Sequence, residues 1–275
     1  MSGASVASAQ SVSGVGVVES GSGAGETGVG RSNAIIGLGF GLSPDYEGSD
    51  VYKYGAVPFA RFSYQEYQQY LQLGPNPGSR TYQARINVLP YEGIEMGPMI
   101  DYRPGRKHVG NKAVRSLPNV DNGYELGGFA NYWLPLPGDV LQSIGLGFSG
   151  AADASGAYDG WWVQPALSYK VALGDGVSLN SRVFSDYAND DYMSTYFGID
   201  ANQAAKSGLK QKNADADFKD VGLTLGVNWQ FADHWFTGAS GTYERMLGDA
   251  ASSPVTRNEG NKNQGFGGVY VGYKF

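Results

Sequence analysis

The sequence predicts an all-β protein, a transmembrane antiparallel up-and-down β-barrel of about twelve strands, with ten strands as the alternative, behind a flexible N-terminal tail. Three observations predict this fold class. First, the chain of 275 residues contains 42 Gly and 13% aromatic residues but only 17% charged residues, whereas about a quarter of the residues in a globular protein are charged. Second, apolar and polar side chains alternate with a period of two in long segments. Third, the connections between these segments alternate between short and long.

The composition also excludes several classes of protein. The chain has no Cys and only 2 His, so it offers no disulfide scaffold, no thiolate metal site and no cysteine nucleophile. Its net charge of -6 argues against nucleic acid as a partner, because phosphate-binding domains are basic. Nowhere do about 18 apolar residues follow one another, so no transmembrane helix is predicted.

Residues 1–32 differ in composition from the rest of the chain. They are rich in Gly, Ser and Ala and cannot bury enough apolar surface to offset the entropy lost on ordering. They are predicted to be a flexible tail or the remnant of an export signal peptide. The residues around Ala9 resemble the cleavage end of such a signal, although its basic and apolar regions are lacking. From residue 33 to residue 275 the composition stays uniform, which predicts a single barrel domain.

The strands are predicted from the alternation of side chains. In 221–231 every odd position is a large apolar residue and every even position is Gly, Thr, Asn or Gln, so one face of this strand is apolar and the other polar. Most predicted strands are longer than the five or six residues of an average strand and reach the nine to eleven that a membrane-spanning strand needs. The third is the shortest. The predicted strands are, in order, 33–42, 54–64, 69–74, 80–88, 93–103, 123–134, 143–152, 161–173, 177–187, 220–231, 235–247 and 265–275.

The predicted connections fall into two sets. Outer-membrane barrels have short periplasmic turns and longer extracellular loops, so the length of each connection predicts the side of the membrane on which it lies. The short turns follow even-numbered strands and are 65–68, 89–92, 135–142, 174–176 and 232–234. The longer loops follow odd-numbered strands and are 43–53, 75–79, 104–122, 153–160, 188–219 and 248–264.

The polar faces of the predicted strands carry charges of both signs. In a membrane barrel the apolar face contacts lipid and the polar face lines the lumen. Acidic and basic side chains are then expected to pair and to fill the interior, because an unpaired buried charge is costly. A plugged or narrow lumen is therefore expected, and an open porin is the weaker interpretation. The predicted lumen-facing charges are Arg61, Arg85, Glu95, Asp101, Arg103, Glu125, Lys170, Arg182, Asp186, Glu244 and Lys274.

The last predicted strand ends with Val271, Tyr273 and Phe275 on one face. A terminal aromatic residue on such a strand resembles the C-terminal signal that the barrel assembly machinery recognises when it inserts bacterial outer-membrane barrels. Aromatic residues also gather near the strand ends, as interfacial girdles require. The expected surroundings are therefore outer-membrane lipid and lipopolysaccharide.

Several short stretches, in their order and spacing, resemble the MipA/OmpV family of Gram-negative outer-membrane proteins, the MltA-interacting proteins. The resemblance covers 33–275 and implies an outer-membrane location in the cell envelope. It also implies a scaffolding role, in which the protein brings a lytic murein transglycosylase together with a peptidoglycan (murein) synthase. The resemblance implies no catalytic residue and no cofactor. Other members of the family are associated with adhesion and with osmotic or antibiotic responses. The stretches are 43–50 (SPDYEGSD), 97–98, 102–106 (YRPGR), 125–127, 192–199 (YMSTYFGI), 203–209, 218–221, 247–254 (LGDAASSP), 263–264 and 273–275.

The first long loop holds Asp45, Glu47 and Asp50. Their carboxylates offer the oxygen ligands that a hard cation such as Ca²⁺ prefers. Their spacing does not match an EF-hand loop, and a solvated turn that begins at Pro44 is the stronger prediction. No metal site is therefore assigned.

A group of basic residues lies in loop 104–122. On the outer surface these side chains are suited to bind the phosphates of lipopolysaccharide, and a merely solvated basic loop is the alternative. The candidate lipopolysaccharide contacts are Arg106, Lys107, Lys112 and Arg115.

The longest connection, 188–219, is too long for a simple link between strands. Its segment 200–211 has the composition of a short helix. The loop is predicted to fold into the barrel mouth as a plug, and an adhesive or ligand-binding surface is the alternative. The apolar residues that favour a plug are Met193, Tyr196, Phe197 and Ile199.

No catalytic site is predicted, and three functions remain open. His108 falls in a long loop and His234 in a short turn, so neither lies on a strand face where a partner would orient it for general-base work. The first function is a non-catalytic scaffold that contacts murein enzymes through its tail and short turns. The second is a narrow passive pore, which the mixed charge of the lumen opposes. The third is a surface adhesin that acts through its long loops.

Overall fold

The computed structural model of the protein describes residues 32–64, 69–76, 79–107, 109–138 and 141–275. Almost all of the predicted tail lies outside these ranges, as do the turn 65–68 and His108. Ser32, which the prediction assigns to the tail, begins the first strand.

The chain forms a closed antiparallel barrel of twelve strands, which confirms the predicted fold class. Each strand pairs with its neighbours in sequence, and β1 closes the barrel by pairing with β12, from Ile35 opposite Lys274 to Leu42 opposite Gly267. The alternative of ten strands is wrong, because the third and fourth strands both form, although they are short. The strands are β1 Ser32–Pro44, β2 Tyr52–Tyr64, β3 Gln69–Pro75, β4 Tyr82–Asn87, β5 Ile94–Arg103, β6 Gly123–Leu136, β7 Gln142–Asp153, β8 Trp161–Gly174, β9 Val177–Ala188, β10 Asp217–Gln230, β11 Trp235–Met246 and β12 Asn263–Lys274.

The helices of the described residues are short, and all of them lie in connections that follow odd-numbered strands. Within the described ranges, no helix is long and apolar enough to cross a membrane. We call the end of the barrel that carries these connections the long-loop end, and the opposite end the short-turn end. The helices are α1 Lys112–Arg115, α2 Asp190–Phe197, α3 Ala201–Ser207, α4 Gly248–Ser252 and α5 Pro254–Arg257.

The alternation of residues decides which way each side chain points. In β10, Leu223, Leu225 and Val227 are exposed, whereas Thr224 and Asn228, at even-numbered positions of the same strand, are buried. The barrel wall therefore turns its apolar face outward and its polar face toward the lumen, as a membrane barrel does.

Exposed aromatic residues form a band at each end of the wall. At the long-loop end, Tyr102 packs against Tyr124, and Tyr187 packs against both Trp161 and Phe218, with ring centroids 5.4 to 5.9 Å apart. Such bands mark the two lipid–water interfaces of a membrane barrel. The band at the short-turn end contains Trp229, Phe231, Trp235, Tyr273 and Phe275.

Two inward-facing glycines make room for aromatic rings. Phe59 covers Gly37, its partner in the β1–β2 register, and Phe184 covers Gly222 in the same way between β9 and β10. A Cβ at Gly37 or Gly222 would lie only 2.1 or 2.2 Å from the covering ring. Because glycine leaves this space free, large rings fit inside the barrel.

Candidate functional site

The lumen is closed by two layers of side chains, and the lower layer lies near the short-turn end. There the guanidinium carbon of Arg61 lies 3.8 Å from the centre of the Tyr70 ring, and Lys170 Nζ lies 3.5 Å from the centre of a Trp133 ring. The Tyr70 hydroxyl donates a hydrogen bond to Glu95 at 3.3 Å. Cation–π contacts strengthen when they are shielded from water, so these buried charges are stabilised in place.

An apolar cluster completes the lower layer on the side where β1 meets β12. Phe59 and Tyr270 pack edge to face with ring centroids 5.6 Å apart, and Phe236 lies 6.3 Å from Phe59. With Ile35, these rings form a buried cluster of residues from strands β1, β2, β11 and β12. The short-turn half of the lumen is therefore packed with side chains.

The upper layer begins with the first long loop, and its position corrects the prediction of a solvated turn. Asp45 and Glu47 are only 4% and 9% exposed, and only Asp50 is exposed as predicted. The reason is Tyr46, which lies between the two acids and belongs to an apolar cluster, so its burial draws both carboxylates into the mouth. The buried members of this cluster are Tyr46, Val109, Val114, Leu117, Ile199, Leu209 and Val255.

The carboxylates of Asp45 and Glu47 accept hydrogen bonds and form ion pairs within the mouth. Asp45 pairs with Lys53 and accepts a hydrogen bond from the Gly110 N–H at 3.0 Å. Among the described residues, no group of acidic or His side chains is arranged to hold a metal ion.

Glu47 joins residues that are far apart in the chain. Its Oε1 accepts hydrogen bonds from Arg103 Nη1 at 2.8 Å and from the Tyr192 hydroxyl at 2.6 Å. Arg103 Nη1 also lies 2.9 Å from the Tyr192 hydroxyl oxygen. The first long loop, the end of β5 and helix α2 therefore meet in one buried hydrogen-bonded unit.

Arg103 extends this unit to the neighbouring strand β6. Its Nε pairs with Glu125, which is fully buried on β6. Glu125 also accepts hydrogen bonds from the Tyr158 hydroxyl and from Trp162 Nε1, both at 2.8 Å. The donors of Arg103, Tyr158 and Trp162 therefore replace the water that this buried carboxylate has lost.

Lys219 forms the second centre of the upper layer. Its Nζ lies 2.7 Å from Asp220, 3.5 Å from Asp186 and 3.8 Å from Glu47. Asp186 also accepts a hydrogen bond from Gln164 Nε2 at 2.7 Å. We call these connected residues the mouth cluster: Glu47, Arg103, Glu125, Asp186, Tyr192, Lys219 and Asp220.

Two loop members of the mouth cluster have perturbed acidities. Burial opposes ionisation of Glu47, but Lys219 and Arg103 outweigh it and hold the pKa of this carboxyl below its ordinary value. Burial raises the pKa of the Tyr192 hydroxyl well above its ordinary value. At neutral pH Glu47 is therefore an anion and Tyr192 a proton donor, as their hydrogen bond requires.

Lys219 and Asp220 were missed by the sequence analysis for a geometric reason. They are consecutive, so alternation would place them on opposite faces, yet both are buried. The β9–β10 register shifts between Phe218 and Asp220, and such a bulge allows two successive side chains to point inward. The only sequence signal is their position within the family-like stretch 218–221.

Loop 188–219 folds into the mouth, as the plug prediction requires. Helix α2 begins after Asn189, whose side chain accepts the Tyr192 N–H, and this cap with two acidic residues in the first turn is the signal that would have predicted it. The helix predicted at 200–211 is α3, which is shorter and buries none of its residues. The buried apolar residues are Met193, Tyr196, Phe197 and Ile199.

Arg106 does not join the basic group on the surface, which corrects its assignment as a lipopolysaccharide contact. It is 6% exposed, and its guanidinium donates to the main-chain oxygens of Tyr196 and Thr195 at 2.9 and 3.3 Å. The reason is that the last carbonyls of α2 lack partners within the helix. The three remaining candidates, Lys107, Lys112 and Arg115, are exposed.

The other predicted site residues lie as follows. Arg182 and Lys274 are partly exposed, and Arg182 Nη2 donates to Gln164 at 2.6 Å. Of the C-terminal residues, Val271 and Phe275 are exposed and Tyr273 is partly buried. The predicted lumen-facing charges that are buried are Arg61, Arg85, Glu95, Asp101, Arg103, Glu125, Lys170, Asp186 and Glu244.

His234 lies far from the mouth cluster. It is in the turn between β10 and β11 at the short-turn end, where its Nδ1 lies 2.8 Å from the Lys274 main-chain oxygen and its ring stacks on Tyr273. These contacts support the short-turn end of the barrel.

The closed wall, its two aromatic bands and its charged, filled lumen define an outer-membrane β-barrel. A family model described as MltA-interacting protein MipA matches residues 36–275. The chain belongs to this family, and its location is the outer membrane.

Solved structures with a similar fold are outer-membrane proteins of low sequence identity. The COG4313 outer membrane channel from Pseudomonas putida F1 is 13% identical with a TM-score of 0.46, over 89% of this chain and 95% of that chain. In-vitro folded OmpT, an outer membrane protein of Vibrio cholerae, is 9% identical with a TM-score of 0.38, over 89% of this chain and 97% of that chain. The search of curated proteins gives no match.

Proposed function

We propose that this protein is a non-conducting scaffold that holds a lytic murein transglycosylase and a murein synthase at the outer membrane. The family description, which names an interaction with MltA, supports the first of these partners. The observation that carries the proposal is the lumen closed at both levels, since a barrel without a continuous water-filled path acts through its surfaces.

The mouth cluster is the strongest argument against a pore. Opening a path between Glu47, Arg103 and Glu125 would leave buried charges without partners, and this costs several kcal/mol. The narrow pore is therefore the less favoured alternative.

The short-turn end is the surface that would contact enzymes in the periplasm. Its turns are small, so a partner needs several of them, together with part of the tail region 1–32, to reach about 800 Å² of contact. Tyr91, in the turn between β4 and β5, is 61% exposed, and exposed tyrosines often contribute strongly to binding. We therefore place the centre of the contact at Tyr91.

Crosslinking followed by pull-down from envelope extracts tests the scaffold. We expect the unmodified protein to capture a lytic transglycosylase and a murein synthase, and Tyr91→Ala to reduce this capture at least threefold. Tyr124→Ala is the matched control, because Tyr124 is 57% exposed at the long-loop end. Capture of neither enzyme by the unmodified protein would refute the proposal, and equal loss in both variants would refute the assigned surface.

Two further contacts belong to the same proposal. Lys107, Lys112 and Arg115 are proposed to bind lipopolysaccharide phosphates, and changing all three to Gln should lower the lipopolysaccharide retained on the purified protein. The exposed Phe275, with Val271 and Tyr273, is proposed to be read by the barrel assembly machinery, so Phe275→Ala should lower the amount of inserted barrel.

A further inference from the structure

At the long-loop end, the barrel wall is lower between β2 and β4 because β3 is short. We call this place the low rim. Among the described residues, β2 pairs with β3 only from Ala60 opposite Leu73 to Tyr64 opposite Gln69. On this register the last residue of β3, Pro75, lies level with Pro58, yet β2 continues to Tyr52. At about 3.3 Å per residue, β2 extends roughly 20 Å along its axis beyond the end of β3.

A cavity of about 310 Å³ lies at this rim. Its lining includes side chains of the outer face of the wall, Tyr54, Ala56 and Pro58, and also Gly55 and Val57 of the inner face. Neighbouring residues of one strand point to opposite faces, so a cavity that touches both must pass around the edge of β2. The cavity therefore opens through the side of the barrel.

The inner end of the cavity is polar. Arg182, Thr224 and Thr242 line it, and they follow one another across the registers of β9, β10 and β11. The outer end is apolar, since Leu42, Pro75 and Tyr82 line it together with the β2 residues. The cavity thus combines an apolar entrance with an interior that offers hydrogen-bonding groups.

The charges of the lining are of one sign. Lys53, Arg80 and Arg182 line the cavity, and no Asp or Glu belongs to the described lining. Lys53 already pairs with Asp45, and Arg80 Nη2 donates to the Asp45 main-chain oxygen at 2.7 Å, so the guanidinium groups of Arg80 and Arg182 are the cations that the argument uses. Arg80 also has a buried Nε without a hydrogen-bond partner among the described residues. An unpaired buried donor is costly, so the cavity favours an anionic occupant.

The entrance lies at the level of the aromatic band at the long-loop end. Tyr82 is the register partner of Tyr102, which belongs to that band, and Tyr54 is itself in contact with Phe40 on the outer wall. Aromatic bands lie at the lipid headgroups. The cavity therefore opens where the charged end of a lipid meets its chain.

We propose that this lateral cavity binds a single-chain anionic amphiphile, a long-chain carboxylate, drawn from the membrane. The carboxylate lies near Arg80 and Arg182. The chain leaves the barrel past Tyr54 and Ala56, beside the hydrogen bond that the Tyr82 hydroxyl donates to the Pro58 main-chain oxygen. Below the cavity, the ring of Phe59 belongs to the packed lower layer, so the site binds its ligand and offers no path onward. The site is independent of the scaffold and its enzymes.

Native mass spectrometry of the purified full chain in nonionic detergent, with dodecanoate as the probe, tests this site. Gly55→Trp should fill the cavity, because nothing lies within 4 Å of a Cβ at Gly55, and should reduce the bound fraction at least tenfold. Gly241→Trp is the matched control: it adds the same side chain to the exposed face of β11, where the nearest atom to a Cβ is 3.9 Å away, and should bind like the unmodified protein.

A second variant tests the charge. Arg80→Gln should weaken dodecanoate binding about tenfold and leave the weak binding of uncharged dodecanol unchanged. The heat-dependent shift of the folded band on gels verifies that each variant is folded, and Arg80→Gln keeps the test valid if Gly55→Trp does not fold. Three results would each overturn the proposal. The first is that the unmodified protein binds no single dodecanoate, and the second is that both Trp variants bind dodecanoate equally. The third is that dodecanol binds as tightly as dodecanoate.

Discussion

At the scale of the residue, Glu47 shows how a loop side chain becomes part of the lumen. It lies outside every strand, yet it contacts Arg103, Tyr192 and Lys219. Burying a carboxylate is unfavourable unless cations and donors replace its water, and two cations and one hydroxyl do so here. Glu47 therefore couples the first long loop to the wall and to the plug.

Replacing Glu47 tests this coupling. Glu47→Gln keeps the shape of the side chain but removes its charge, so Lys219 and Arg103 each lose an anionic neighbour. We expect the free energy of unfolding to fall by about 3 kcal/mol, the scale for breaking a buried ion pair, measured by urea unfolding in detergent micelles. Asp50→Asn, in the same loop but exposed, should have no measurable effect. A Glu47→Gln protein as stable as the parent would contradict the role assigned to the mouth cluster.

The same residue predicts a dependence of stability on pH. The pKa of Glu47 is lower in the folded protein than its ordinary value of 4.5, so its stabilisation is complete above pH 4.5 and is lost as the pH falls through the lower folded value. Between pH 6 and pH 3 the unmodified protein should therefore lose more stability than Glu47→Gln. The free energy of unfolding of both proteins is to be measured by urea unfolding at each pH. If it changes with pH by the same amount in the two proteins, Glu47 does not titrate in this way.

At the scale of the element, the plug loop divides into two parts. Helix α2 presents four buried side chains to the barrel, whereas α3 presents none. Both helices are capped at their N-termini by Asn189 and Asp200, which stabilises their first turns. Only the apolar face of α2 determines which of the two enters the mouth.

Limited proteolysis distinguishes these two parts. Trypsin should cut after Lys206 or Lys210, which are exposed in and after α3. Chymotrypsin should not cut at Tyr192, Tyr196 or Phe197, because all three are at most 3% exposed. The fragments are to be identified by mass spectrometry on folded barrels in micelles and on intact cells. Early chymotryptic cutting in α2 would mean that the plug is not packed.

At the scale of the whole molecule, the lumen is closed twice. The mouth cluster and α2 close the long-loop end, and the cation–π contacts with the Phe59 cluster close the short-turn half. Tyr70 of the lower layer shares one buried apolar cluster with Met193 and Phe197 of α2. The Arg61–Tyr70 and Lys170–Trp133 contacts, however, join residues of the wall strands, so we expect the lower closure to hold without α2.

Planar-bilayer recording tests the double closure. The unmodified protein should show no steady open-channel current. Deletion of 190–197 should also leave the current near the baseline, because the lower layer still blocks the lumen. The deletion combined with Phe59→Ala and Phe236→Ala should produce channels. A large conductance in the unmodified protein would instead favour the pore function.

The sequence by itself determined the barrel, its count of about twelve strands, the face that the regularly alternating side chains present and the location of the protein in the outer membrane. These features follow from a period of two, which every strand carries locally and which a membrane imposes on both faces of the wall. The tertiary structure alone decided the site. The burial of Glu47, the inward turn of both Lys219 and Asp220, the withdrawal of Arg106 from the surface and the low rim beside β2 depend on a bulge, on register and on contacts between distant loops. No local period encodes such contacts, because each residue's environment is set by partners that only the closed barrel brings together.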